Sequence, residues 1–224
     1  MISLESGLSG KRLAILGLAI TFAWPFLFLI PGLSAHNLTS VRDDTVNVGV
    51  KWAVTFIVCI IAFSIRRWKP FDLGIRRLRL LDVVAAFGSL VVALVLGGVA
   101  SRIAVMPTSL SDLHKLAAVP LGLRIALVLT AAICEEFMYR GYGMEELAYL
   151  TGNRGLAALF SLAVFTISHV GLYGLSRALI IPGVIGAVLT GLYLWRRNLP
   201  ACMLTHAMLD GLFLIAIPAL AKAN

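Results

Sequence analysis

Residues 131–140, "AAICEEFMYR", decide how the rest of this chain is read. Glu135, Glu136 and Arg140 stand there at the end of a run that otherwise reads as an apolar membrane helix. A charge held at the bilayer centre costs at least about 2.5–3.5 kcal/mol. Three charged side chains in so short a stretch need a compensating reason.

Composition puts that run in a membrane. Of the 224 residues, 60% are hydrophobic and only 13% charged, and the mean hydropathy is +0.95. An ordinary soluble domain is about 25% charged, so a soluble class is excluded. Seven apolar runs read as spans: 13–33, 48–65, 80–100, 121–139, 155–173, 178–195 and 199–220. Each is close to the ~20 residues a spanning helix needs. The expectation is a single integral membrane domain over residues 1–224, all-α and polytopic. About seven transmembrane helices enclose a polar intramembrane cavity, with the motif-bearing core at 121–220. "GLSA" at 32–35 faintly resembles a signal-peptidase site, but the preceding run is long and holds Trp24 and Pro25, so it reads as a retained first span.

The formal net charge is +8, and the basic residues fall in short loops, the positive-inside pattern. The link "RRWKPFDLGIRRLR" sets six basic residues, Arg66, Arg67, Lys69, Arg76, Arg77 and Arg79, against Asp72 alone. That puts this link and the N-terminus, with Lys11 and Arg12, in the cytoplasm, in a chain expected in the cell (inner or plasma) membrane. Arg154, Arg196 and Arg197 then fall on the same side. Trp68, Phe71, Ile75 and Leu78 predict that the link also lies on the membrane surface. Membrane lipids are thus expected partners. No basic stripe interleaved with aromatics is present, and no nucleic-acid partner is expected. Cys59, Cys134 and Cys202 each sit in an apolar run, with no disulfide framework and no CxxC. Cys134 adjoins Glu135, but the simpler reading is a small packed residue.

Three spans carry polar residues that solvation does not explain. Span four has Glu135, Glu136 and Arg140; span five has "FTISH", with Phe165 and His169; span seven has "THAMLD", with His206 and Asp210. Lys51 and Asp82 lie near predicted span ends, where side chains reach the interface. Residues four apart share a helix face, and consecutive ones diverge. Glu136 therefore pairs with Arg140, Phe165 lies under His169, and His206 meets Asp210. Glu135 is left without a partner on its own helix, the condition under which a buried carboxylate becomes a working base. Taken singly, a His in a membrane helix commonly serves as an interhelical hydrogen-bonding residue. Taken together, these groups need partners, and the cheapest partners are one another.

A Glu and a His together can strip a proton from water, and a second His with Asp210 beside it can stabilise the oxyanion formed on a carbonyl. That chemistry is hydrolysis of a peptide or membrane-protein substrate without a covalent intermediate. Two rivals use nearby residues. Ser161 and Ser168 lie on span five, but neither sits in G-x-S-x-G. A zinc site built on His169, His206 and a Glu lacks H-E-x-x-H spacing.

The three motifs in order, E-E-x-x-x-R as "EEFMYR", F-x-x-x-H as "FTISH" and H-x-x-x-[N/D] as "HAMLD", resemble the CAAX protease and bacteriocin-processing (CPBP) family of intramembrane proteins. That family includes the Rce1-type prenyl-protein endopeptidases, and the short length resembles its bacterial members. The resemblance implies a glutamate protease without metal or other cofactor. It implies Glu135 as the catalytic glutamate, His169 as its partner in activating water, and His206 with Asp210 on the oxyanion side. Glu136, Arg140 and Phe165 then support them. An ionised Asp cannot donate a hydrogen bond to an oxyanion, so Asp210 either carries a proton or acts by orienting His206. Among bacterial members prenylated substrates are not expected, and some relatives act as immunity or regulatory proteins. A non-proteolytic membrane scaffold therefore stays open as an alternative. So does a proton-coupled carrier, although no paired half-repeats are visible.

The predicted spans leave a mismatch in depth. At ~1.5 Å per residue, Glu135 and His206 fall near the cytoplasmic side, and His169 comes out roughly 10 Å deeper. A tilted span five, or one starting later than Gly155, would remove it.

Overall fold

The computed structural model describes residues 8–29, 40–103, 116–170 and 175–223. The "GLSA" stretch and the last residues of the predicted first and fifth spans lie outside them. Every regular element among the described residues is helical. Helix α1 (Leu8–Ala23) runs into a 3₁₀ turn (Trp24–Leu29). Helix α2 (Val41–Cys59) continues as a π-helical stretch (Ile60–Ile65), and α3 is Leu80–Ile103. Helix α4 (Leu121–Thr130) passes through two π-helical stretches, Ala131–Glu135 and Phe137–Gly143, into α5 (Met144–Thr151). Helix α6 is Arg154–Ser168, α7 is Leu175–Arg196, and α8 (Leu199–Gly211) leads through a π stretch (Leu212–Ala216) to α9 (Ile217–Ala223).

Four helical segments among the described residues are long and apolar enough to cross a membrane: Val41–Ile65, Leu80–Ala100, Leu179–Arg196 and Leu199–Leu220. The chain is a polytopic all-α membrane protein. Its apolar side chains face outward: on α3, Val84, Phe87, Val91 and Val95 are each more than half exposed. They recur at three- and four-residue spacing, which makes one lipid-facing stripe. The opposite face of α3 presents Ala85, Ala86, Ala93 and Ala100, all buried. Small residues let neighbouring helix backbones approach closely where no hydrophobic force drives them together.

Caps set the helix ends, and some of them shift the predicted boundaries. Helix α2 starts at Val41, not at 48, because the Ser40 hydroxyl accepts the Asp43 backbone N–H at 3.3 Å. Asp43 and Asp44 then sit in a first turn that favours negative charge. The helix carrying Glu135 does not stop at 139 but runs on through α5 to Thr151. There Gly152 takes a left-handed conformation (φ 68°) and Asn153 caps α6 by accepting the Leu156 N–H at 3.0 Å. Asn198 caps α8 in the same way through Ala201.

This longer helix removes the depth mismatch, by neither of the routes expected. Glu135 lies about 16 residues before Thr151 and His169 about 15 after Arg154, so at 1.5 Å per residue both are ~23 Å from the tight turn. In an antiparallel hairpin they are level.

The basic link is more than a solvated loop. Arg66 is buried and donates from Nε and Nη2 to Glu146 Oε1 at 3.0 and 2.6 Å, and from Nη1 to the Gly10 carbonyl. Trp68, expected at the membrane surface, is buried instead, with Nε1 donating to Glu146 Oε2 at 2.5 Å. Phe71, Ile75 and Leu78 do point outward. Asp82 also differs from expectation. It is buried, accepting from the Arg79 backbone N–H, from Arg196 Nε at 2.9 Å and from Asn198 Nδ2 at 3.1 Å. It thereby fastens the start of α3 to the start of α8. Beyond the apolar spans, Glu145 is held by Arg197 at 2.6 Å and Arg154 at 3.3 Å. Burial raises its carboxyl above the ordinary value, while the two guanidinium groups oppose the rise.

The Arg66–Glu146–Trp68 knot joins α1, the link and α5. Arg66→Ala leaves a fully buried carboxylate with one remaining donor, and breaking a buried pair in this way costs about 3–5 kcal/mol. The thermal midpoint of the purified protein in detergent is expected to fall markedly; an unchanged midpoint would show that the knot carries no stability.

Candidate active site

Four helical segments deliver the polar groups. Glu135 closes the first π stretch, and Glu136 stands between the two. A π turn is wider than an α turn and is often found at functional sites. Both carboxylates are buried, at 5% and 0% exposure, yet they serve different neighbours.

Glu136 Oε1 accepts from Arg140 Nη1 at 2.9 Å, the pairing its four-residue spacing predicts, and from His206 Nδ1 at 2.8 Å. On the other side of the ring, His206 Nε2 lies 3.5 Å from Asp210 Oδ2. A proton on Nδ1 gives Glu136 its donor, and a second on Nε2 makes the ring a cation between the two carboxyl groups. Arg140 spends Nη2 on the Gly186 carbonyl of α7, at 3.1 Å, and lays its guanidinium over the Phe165 ring at 4.3 Å from the centroid. Phe165 in turn touches the His169 ring, with centroids 4.6 Å apart. A chain of contacts thus runs from Asp210 through His206, Glu136 and Arg140 to Phe165 and His169.

His169 is held by the way α6 ends. The last turn of a helix leaves carbonyls without in-helix donors, and Phe165 supplies one of them. Its oxygen lies 2.7 Å from both His169 Nδ1 and Ser168 Oγ. A carbonyl only accepts, so Nδ1 carries the proton and Nε2 presents a lone pair. That Nε2 faces Glu135 Oε2 at 4.0 Å.

Glu135 corrects one expectation. It has no partner on its own helix, but it is not alone, because Lys51 Nζ of α2 donates to its Oε1 at 2.5 Å. Lys51 was expected near a span end. With α2 starting at Val41, it lies well inside the helix and is only 14% exposed. A span starting at 48 puts Lys51 beside the interface, and the signal that places it ten residues into the helix is the Ser40–Asp43 cap. Gly186 is the other residue that motif spacing does not reveal. A Cβ there would lie 2.8 Å from the Phe165 ring, so only glycine lets α7 approach this closely.

The rival readings find less support in the geometry. Ser161 Oγ donates to the Tyr139 carbonyl at 2.7 Å and Ser168 Oγ to that of Phe165. Among the described residues, no group of three His, Cys, Asp or Glu side chains converges as a metal site would require. A cavity of about 510 Å³ opens at the hairpin end of α5, between Trp68, Tyr149, Arg154 and Arg197, and does not reach Glu135.

The fold and site define a polytopic membrane protein with a buried carboxylate–imidazole centre. Residues 117–212 match the family described as "Rce1-like: Type II CAAX prenyl endopeptidase Rce1-like". The matched segment carries Glu135, His169, His206 and Asp210, and a match to this family of membrane proteases agrees with the three motifs. The match leaves α1, α2 and α3 outside it. Neither the comparison with curated proteins nor that with solved structures gives a match.

Gly186→Ala is expected to cost about 1–3 kcal/mol, the usual penalty of overpacking, read as a lowered thermal midpoint. Gly191→Ala on the same helix is the control. It meets nothing within 4 Å and is expected to be neutral or to gain up to about 1 kcal/mol from helix propensity. Equal effects at the two positions would contradict the close packing of Phe165.

Proposed function

We propose that the chain is an intramembrane endopeptidase of the glutamate type, cleaving a peptide or membrane-protein substrate with water and without a metal. The observation that carries this reading is the 4.0 Å gap between Glu135 Oε2 and His169 Nε2, with Nδ1 already committed to the Phe165 carbonyl. A water hydrogen-bonded at about 2.8 Å to both acceptors subtends about 90° between them. That is close to its own H–O–H angle, so both protons point at bases and its lone pairs face away, toward a substrate carbonyl.

The reaction then follows. The water oxygen attacks the carbonyl carbon as its proton passes to the Glu135–His169 pair. The carbonyl oxygen becomes an oxyanion, which the N–H at His206 Nε2 stabilises. Asp210, at 3.5 Å from that nitrogen, orients the ring. Collapse of the intermediate breaks the C–N bond, and the proton held by the Glu135–His169 pair goes to the leaving amine. Glu136, Arg140 and Phe165 hold the two imidazoles in register. The membrane is read as the cell membrane with the N-terminus in the cytoplasm, on the strength of the basic link and of Arg154, Arg196 and Arg197.

Two measurements test the reading. Glu135→Gln is expected to accumulate normally in membranes while the new peptide termini produced by the wild-type chain disappear from the membrane proteome; undiminished termini would refute the role of Glu135. Cleavage of a substrate found in that comparison is expected to be unaffected by a chelator. Inactivation by the chelator with rescue by zinc would refute the metal-free chemistry.

A further inference from the structure

We propose that Lys51 is a positioning residue for the water-activating carboxylate. It fixes Glu135 through Oε1 so that Oε2 stays turned to His169. The proposal rests on the function proposed above and adds a residue from α2, outside the matched segment 117–212.

Three observations carry it. First, Lys51 lies ten residues into α2, inside Val41–Ile65, a helical segment whose most apolar 18-residue stretch has a mean hydropathy of 2.2. A lysine there is costly unless it is paired. Its position inside the helix serves no topological purpose, which the basic link already meets. Second, the two oxygens of Glu135 are divided between two partners, Oε1 at 2.5 Å from Lys51 Nζ and Oε2 at 4.0 Å from His169 Nε2. The terminal torsion of a glutamate is broad and two-fold, so a carboxylate bound on neither side would turn freely. One fixed oxygen fixes the other. Third, the neighbouring residue locks α2 in place. Trp52 Nε1 donates to Thr130 Oγ1 of α4 at 2.9 Å, which holds Lys51 in register with the first π stretch. Lys51 Nζ also lies 5.9 Å from the centroid of the Trp24 ring, within the range of a cation–π contact.

The groups facing Glu135 come from three elements: Lys51 of α2, His169 of α6, and more remotely His206 and Asp210 of α8. Lys51 is the one permanent cation among them that touches it. A purely structural ion pair would lower the amount of folded protein but leave each folded molecule fully active. A positioning role lowers turnover per molecule.

The experiment uses the full chain in membranes and a substrate identified by the Glu135→Gln comparison. Lys51→Met is expected to lower kcat about 100-fold, the effect of a misplaced reacting group, with KM changed less than about threefold. Lys51→Arg, which keeps the cation, is expected to recover most of the loss. Lys51→Gln, whose amide still donates to Oε1, is expected to fall between them and stands in if the methionine variant does not accumulate. A kcat within twofold of wild type in Lys51→Met or Lys51→Gln overturns the proposal, as does a loss confined to KM. A readout independent of catalysis is the thermal midpoint. Lys51→Met should lower it, and adding Glu135→Gln should restore much of the loss, because the stranded carboxylate is then neutral. Independent, additive effects overturn the pairing. Failure of the underlying function looks different: Glu135→Gln itself would still cleave.

Discussion

The structure depends on a carboxylate that cannot reach water. Glu136 is fully buried between the two π-helical stretches, and its Oε1 is held by Arg140 from one turn on and by His206 from α8. A buried carboxylate with its partners removed costs several kcal/mol. The helices that supply the partners are therefore not free to drift. Arg140 carries the constraint on to α7 through the Gly186 carbonyl, and to α6 through the face of Phe165. One charge thereby sets the relative positions of four segments, and the level at which His169 meets Glu135 follows from that packing.

The same logic recurs at the hairpin end. Glu145 and Glu146 are buried and are answered by Arg154 and Arg197 in one case and by Arg66 and Trp68 in the other. Charges that would be expensive alone become interhelical fasteners when their partners come from other segments. Many large apolar residues, by contrast, face outward, as on α3. In lipid they add little to the choice of one packing over another. Specificity of the fold lies in the polar groups, the small residues and the caps.

This explains what could be read from the sequence. Pairs four apart on one helix, Glu136 with Arg140, Phe165 with His169 and His206 with Asp210, follow from helical geometry, and they do meet. The all-α membrane fold follows from composition. What hydropathy misjudged were the ends. Apolarity stops near Tyr139, but a helix stops where a cap or a left-handed residue stops it, here at Gly152. Likewise α2 begins at its Ser40 cap and not where the apolar run begins. Those few residues hid Lys51 and created a depth mismatch that the structure does not have. Contacts between helices far apart in the chain, such as Lys51 with Glu135 or Asp82 with Arg196, leave no local spacing to read.

The account stands or falls on a single solvent position. Its most direct measurement is a crystallographic map of the protein in lipid at a resolution that shows ordered water. The account predicts density within about 3 Å of both Glu135 Oε2 and His169 Nε2, with Nδ1 of His169 still bound to the Phe165 carbonyl. A dry site, or an imidazole turned so that Nε2 no longer faces Glu135, would contradict it.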